Sequence, residues 1–255
     1  MNKYRNMTGV VLVAGALMLP SVPAFAVEPL VSGSAFGGTF SANVGFTSEY
    51  YFRGVSQSDD TPAIQGGFDY SVPVADPVSL YLGVWGSNVK FSDASLEADL
   101  YGGLNGTIGD TGLSWDAGFI YYAYPGAASS LNYDYVEAQG ALTYDFGVAS
   151  VTASLNYSPD NFGSSGTAYY PKLAADVPIG KYVSLGGYIA RQYVEDNATF
   201  ALPDYTEWNV SATVNLFGFD TSLSYSDTNI SGDIDGTGPA VLLSITRSFE
   251  DSPSS

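Results

Sequence analysis

The sequence predicts an all-β chain, a transmembrane antiparallel up-and-down β-barrel of about twelve strands. Three observations point to it. Short segments alternate apolar and polar residues with a period of two. The connections between them sort by parity into a long set and a short set. No segment after the N-terminal region is apolar for long enough to cross a bilayer as a helix.

The chain opens with Lys3 and Arg5, then a run of 13 largely apolar residues from Met7 to Leu19. Pro20, Pro23 and the small-residue site Ala24-Phe25-Ala26 follow. A basic end, a short apolar stretch and an A-x-A site make a secretory signal peptide, with cleavage expected between Ala26 and Val27. The run falls short of the roughly 20 residues a spanning helix needs. Residues 27–38 read as a short leader, 39–249 as the barrel and 250–255 as a polar tail.

The strands follow in order. Phe40, Ala42, Val44 and Phe46 share one face against Ser41, Asn43, Gly45, Thr47 and Glu49. Ile64, Phe68, Tyr70 and Val72 oppose Gln65, Asp69 and Ser71. Residues 80–89 are apolar on both faces. Leu96, Ala98, Leu100 and Leu104 oppose Glu97, Asp99, Asn105 and Thr107. Leu113, Trp115, Ala117, Phe119 and Tyr121 oppose Ser114, Asp116 and Gly118. Val136, Ala138, Leu142 and Tyr144 oppose Glu137, Gln139, Thr143 and Asp145, and residues 151–157 repeat the pattern. Residues 167–177 contain Pro171, which cannot donate to a ladder and weakens that strand. Residues 182–193, 208–215 and 219–225 supply three more. The last carries Val241, Leu243, Ile245 and Phe249, an alternation ending on an aromatic, which looks like an outer-membrane assembly signal. Arg247 interrupts its apolar face, and six residues follow Phe249.

If strand polarity alternates, one end of the barrel holds the segments near Asp59 and at 91–94, 125–133, 159–166, 194–204 and 227–238. The other holds 73–77, 109–111, 146–149, 178–181 and 217–218. Long extracellular loops and short periplasmic turns show this asymmetry. Aromatics crowd the strand ends, as in Tyr50-Tyr51-Phe52, Tyr121-Tyr122 with Tyr124, Tyr144 with Phe146, and Phe217 with Phe219. Their amphipathic rings suit girdles at the headgroup level.

Composition excludes several functions. The chain has 8 Lys and Arg, 26 Asp and Glu, no histidine and no cysteine. Loss of Lys3 and Arg5 with the signal lowers the net charge from −18 to −20, which repels nucleic acid. Without cysteine there is no disulfide, thiolate metal site or thiol nucleophile. Without histidine there is no Ser-His-acid site, and the commonest general base is missing. Glu97 and Asp99 share a face roughly 6.6 Å apart. They could serve an acid-only hydrolase, but a polar lumen wall is the plainer reading, and neither enzyme activity nor a cofactor is expected. Asp227, Asp233, Asp235 and Gly236 have some calcium-loop character without EF-hand spacing. A solvated acidic loop, or one bridged by divalent cations to lipopolysaccharide, accounts for them.

From Ser41 to Phe249 the chain resembles a known family. The stretches are Tyr50-Tyr51-Phe52-Arg53-Gly54-Val55-Ser56-Gln57, Gly83-Val84-Trp85-Gly86-Ser87-Asn88-Val89 and Tyr121-Tyr122-Ala123-Tyr124-Pro125-Gly126. Leu131-Asn132-Tyr133-Asp134-Tyr135-Val136-Glu137, Tyr157-Ser158-Pro159-Asp160 and Leu202-Pro203-Asp204-Tyr205 extend it. They resemble the TorF-family porins, which implies an outer-membrane barrel and names no cargo.

Assigning the polar faces to the lumen puts Glu49, Asp69, Glu97, Asp99, Asp116, Glu137, Asp145 and Asp176 inside, opposed by Arg53 and Lys172. Arg53 is read as extending the lumen face of the first strand, roughly 13 Å beyond Glu49. There it either joins an ion pair or tunes a constriction. Arg191 falls on the lipid face near a loop, placed to snorkel. A wet, acidic lumen implies passive diffusion of small solutes with a preference for cations. The alternative is a structural or surface-interaction barrel with a plugged lumen, since about twelve strands lie between filled and open barrels. The expected partners are outer-membrane lipid and lipopolysaccharide, the barrel-assembly machinery and small solutes.

Overall fold

A computed structural model describes residues 37–250 apart from residue 233. Ala24, Ala26 and the rest of the expected signal peptide lie outside the described residues, as does the tail beyond Glu250. The strands are β1 (Thr39–Thr47), β2 (Tyr51–Phe52), β3 (Val55–Ser56), β4 (Ala63–Ala75), β5 (Val78–Phe91), β6 (Ala94–Thr107) and β7 (Leu113–Ala123). They continue with β8 (Tyr135–Asp145), β9 (Ser150–Ser158), β10 (Ala168–Ile179), β11 (Val183–Val194), β12 (Tyr205–Leu216), β13 (Phe219–Thr228) and β14 (Ala240–Glu250). Twelve of them form a closed antiparallel barrel, and β2 and β3 form a separate hairpin. β1 closes the ring, pairing Val44 with Gly66 on β4 and with Arg247 on β14. Closure leaves no sheet edge, and every barrel strand has two neighbours.

The period of two sorts the side chains. Phe40, Val44, Phe46, Ile64, Phe68, Leu82, Val84, Leu100, Phe119, Leu142, Leu173, Ile189, Val210 and Leu223 stand exposed on the outside. An apolar belt of that extent is matched to hydrocarbon rather than to water. Tyr121, Tyr157, Tyr169, Tyr193 and Tyr225 fringe it at the loop end, and Tyr144, Phe146, Tyr182, Phe217 and Phe219 at the turn end. Arg191 lies on this outer face, 4.9 Å over Tyr193 and bonded to Thr206 Oγ1. Arg247 sits over Phe219 and Phe249 and donates to the Phe217 carbonyl at 3.0 Å, so its place on the apolar face is satisfied at the membrane edge. Pro171 belongs to β10 after all. It points outward, and β10 continues through it, paired with Leu155 of β9.

The loops sort as expected with one exception, the two-residue link between β5 and β6 on the long side. The aromatic expectation needs correction. Tyr50, Phe52, Tyr122 and Tyr124 turn inward and belong to a packed interior cluster with Tyr81, Trp85, Tyr101, Ile120 and Tyr135. Phe91, Tyr133 and Phe162 pack against it, the last two stacked at 4.4 Å. This cluster explains why residues 80–89 are apolar on both faces. Leu82 and Val84 face out, while Tyr81, Trp85 and Val89 face the cluster.

Val44 is 50% exposed on the outer face, and Asn43 points the other way. In lipid vesicles Val44→Lys is expected to cost roughly 2–4 kcal/mol of refolding free energy if it sits near mid-bilayer, and Asn43→Lys much less. Equal losses in a denaturant titration would contradict the assignment of faces.

Candidate functional site

The first connection, residues 48–62, leaves the wall and folds into the mouth. Its centre is the β2–β3 hairpin, which pairs Tyr51 with Ser56 and Phe52 with Val55. Between them Arg53 and Gly54 take φ of 50° and 74°. A two-residue hairpin turn with both φ positive follows the strand twist, and Gly, Asn or Asp normally fill it. Arginine there carries a backbone cost of about 1–2 kcal/mol, so its side chain must compensate.

The contacts show how. Arg53 Nη2 lies 2.6 Å from Glu137 Oε2 on β8, and Nη1 donates to Gln192 Oε1 on β11 at 2.9 Å. The guanidinium rests 4.2 Å above the Tyr170 ring of β10 and 4.8 Å from Phe52. The Tyr205 hydroxyl of β12 donates to the Arg53 carbonyl at 2.8 Å. At Gly54 an added Cβ would meet Thr228 Cγ2 at 2.6 Å and Glu207 Oε2 at 2.9 Å, so the tip approaches β12 and β13 as closely as a backbone can. A hairpin rooted between β1 and β4 thus reaches the opposite wall.

The hairpin base is equally fixed. Tyr50 OH donates to Glu97 Oε1 at 2.8 Å, and its ring meets Trp85 edge-on. Glu49 accepts from Ser56 Oγ and the Asp60 amide. Ser56 N bonds the Gly236 carbonyl of the β13–β14 loop. Burial, and then the charges of Glu97 and Asp99, push the Tyr50 phenol well above its ordinary range. Burial opposes the charge on Arg53, but the adjacent Glu137 more than offsets it and holds the guanidinium firmly protonated.

Glu49 and Arg53 are therefore not lumen-wall residues of β1, as the sequence reading had them. The polar alternation continues past the point where the chain leaves the wall. Glu97, Asp99 and Glu137 do point inward but are each 1% exposed, shut beneath the hairpin. Glu137 also accepts from Asn156 and Tyr122. Asp99 has no donor to either oxygen among the described residues. Asp69 and Asp116 line the lumen nearer the turns, bonded by Tyr101 and by Tyr81 with Gln139. Lys172 points inward from β10. Asp145 is exposed at the turn end and caps its turn through the Gly147 amide. Sequence reasoning missed Glu207, which is 0% exposed and accepts from Tyr170 and Tyr188. β12 begins at Tyr205, three residues ahead of the alternation from Trp208, and Glu207 falls in that first stretch.

Asp227 accepts from Tyr225 and the Thr228 amide, and lines a cavity of about 320 Å³ with Asp235 and Gly236. Asp233 lies outside the described residues. Among those described, no three acids converge in a way that could hold a metal ion.

Arg53→Met keeps the aliphatic bulk and leaves Glu137 buried without its cation. It is expected to lower unfolding stability by about 3–5 kcal/mol and to expose residues 48–62 to protease. An unchanged urea midpoint with an uncut loop would show that the contact contributes nothing.

The fold has solved counterparts. A crystal structure of an outer membrane channel from Pseudomonas putida F1 aligns with a TM-score of 0.56 at 14% identity, covering 88% of this chain and all of that one. The KdgM porin aligns at 0.50 with 9% identity, covering 85% and 99%. No curated protein matches the chain in sequence. Residues 32–246 match the Gcw_chp family, bacterial proteins of unknown function, and the chain belongs to that family.

Proposed function

We propose that the protein is a porin-like channel of the outer membrane, passing small solutes by diffusion and preferring cations. The observation that carries this reading is the contrast along the lumen axis. The loop end is narrowed by the hairpin. Below it the wall is polar and only partly buried, with Gln139, Thr143, Thr152, Asn156, Asn209, Ser211, Ser224, Ser244 and Thr246 pointing in. A constriction folded in from a loop above a wetted barrel is what a selective pore requires. The apolar belt, the fold shared with an outer membrane channel and a porin, and the motif resemblance to TorF-family porins support the same reading. The aromatic end of β14 suits recognition by the barrel-assembly machinery.

One observation favours a plugged structural barrel instead. The aromatic cluster and the latched hairpin pack the loop-end half of the lumen. Steady conductance in planar bilayers supports the pore, and silence supports the plug.

Charge selectivity falls to the inward carboxylates that the hairpin does not cover. Asp69 and Asp116 are partly exposed, whereas Glu97 and Asp99 are sealed. Under a salt gradient the wild type is expected to give a cation-selective reversal potential, stronger near 0.1 M than near 1 M, because screening shortens from about 10 Å to about 3 Å. The Asp69→Asn, Asp116→Asn double variant is expected to move that potential toward zero. An anion-selective wild type, or no shift in the double variant, would overturn this assignment.

A further inference from the structure

We propose that Lys172 anchors a lumenal binding site for the carboxylate group of a small organic solute. The ammonium points into the barrel on the turn side of the hairpin, 5.2 Å from the Tyr188 ring centre and 5.7 Å from that of Tyr170. Two aromatic faces hold the side chain in place and supply no acceptor for its three donors. Among the described residues Lys172 makes no hydrogen bond and no ion pair; the ion pairs present are Arg53–Glu137 and Lys90–Asp59.

Glu207 attracts the ammonium electrostatically and Arg53 repels it, but among the described residues no carboxylate oxygen comes within hydrogen-bond or ion-pair distance of it. Glu207 sits two strands away in the same row, across Ala190, and its two oxygens already receive Tyr170 and Tyr188 separately. Glu137 is held by Arg53, Asn156 and Tyr122. On the other side Lys172 pairs in register with Ser154, whose buried hydroxyl has no partner among the described residues. A mostly buried cation whose donors are unspent favours an incoming acceptor that carries negative charge. The ligand is a monoanion rather than a phosphate dianion, because Glu207 and Glu137 lie in the same wall and would repel a second charge. Acidic residues along the lumen oppose free anions. Lys172 offsets that for a solute whose carboxylate can reach it.

The site deepens the pore reading, and rests on a lumen that solvent enters from the turn end, but it does not require conduction. The test uses the refolded full barrel in detergent micelles, with sodium benzoate as the probe and benzyl alcohol as the uncharged control. Saturation-transfer NMR is expected to show benzoate bound to the wild type above the alcohol. Affinity should fall at least about tenfold in Lys172→Met, the loss expected for a charge-assisted hydrogen bond. Lys172→Gln, which keeps a polar donor without charge, should fall comparably and serves if the Met variant refolds poorly. Benzoate binding equal in wild type and variant, or no stronger than the alcohol, overturns the site. Lys172-dependent binding in a barrel that shows no conductance would refute the pore and leave the site standing.

Discussion

Closure of the sheet is the constraint on which the rest depends. In a ring without edges each strand residue must face either the surroundings or the lumen, and a shift of one position would exchange the two sets. Once Phe40, Val44 and Phe46 stand outside, Asn43 and Gly45 must stand inside, and the same holds around all twelve strands. Everything the outer face rejects collects in the lumen. That is why this acidic chain gathers carboxylates in its interior, and why so many are met there by tyrosine hydroxyls. Asp69 has Tyr101, Asp116 has Tyr81, Glu97 has Tyr50 and Glu207 has Tyr170. A phenol supplies a donor on a ring that also fills space, which suits a lumen too narrow to be left wholly to water.

Those rings need room on the wall, and glycine provides it. A Cβ at Gly83 would stand 2.3 Å from the Tyr101 ring, and one at Gly118 would stand 2.5 Å from the Tyr81 hydroxyl. The tyrosines lie across bare backbone one or two strands away. On the β4–β8 side, glycine and tyrosine are thus one packing solution. The β9–β14 side sets Ser, Thr and Asn around its own inward tyrosines, Tyr170, Tyr188 and Tyr205.

The barrel was legible because its signal is repeated in every strand. Alternation and loop parity both follow from local sequence. The hairpin was not legible in the same way. β1 ends at Thr47, but Glu49 keeps its alternation after the chain has turned away, so period alone extends the strand to Arg53. Two local signals did mark the departure. Arg53-Gly54 stands between aromatic and β-branched residues as a turn would, and residues 80–89 carry an inner apolar face with no use in a wet lumen. Neither says which wall the tip will reach. That depends on Glu137, Gln192 and Tyr205, which lie between 84 and 152 residues away.

Those distant partners tie the charge at the mouth to its stability. Three carboxylates, Glu97, Asp99 and Glu137, are buried under a hairpin that brings a single guanidinium. Burying a charge is tolerable only with a well-placed partner, and removing one member of such a pair costs more than the pair is worth. Arg53 therefore holds the hairpin against β8 by the same contact that neutralises Glu137. Its left-handed backbone lets the guanidinium reach β8 and β11 while the carbonyl meets Tyr205. The groups that set the charge at the narrow end are the groups that keep that end narrow. Wall charge can be changed without loosening the hairpin only where the wall does not touch it, around Asp69, Asp116 and the row below Lys172.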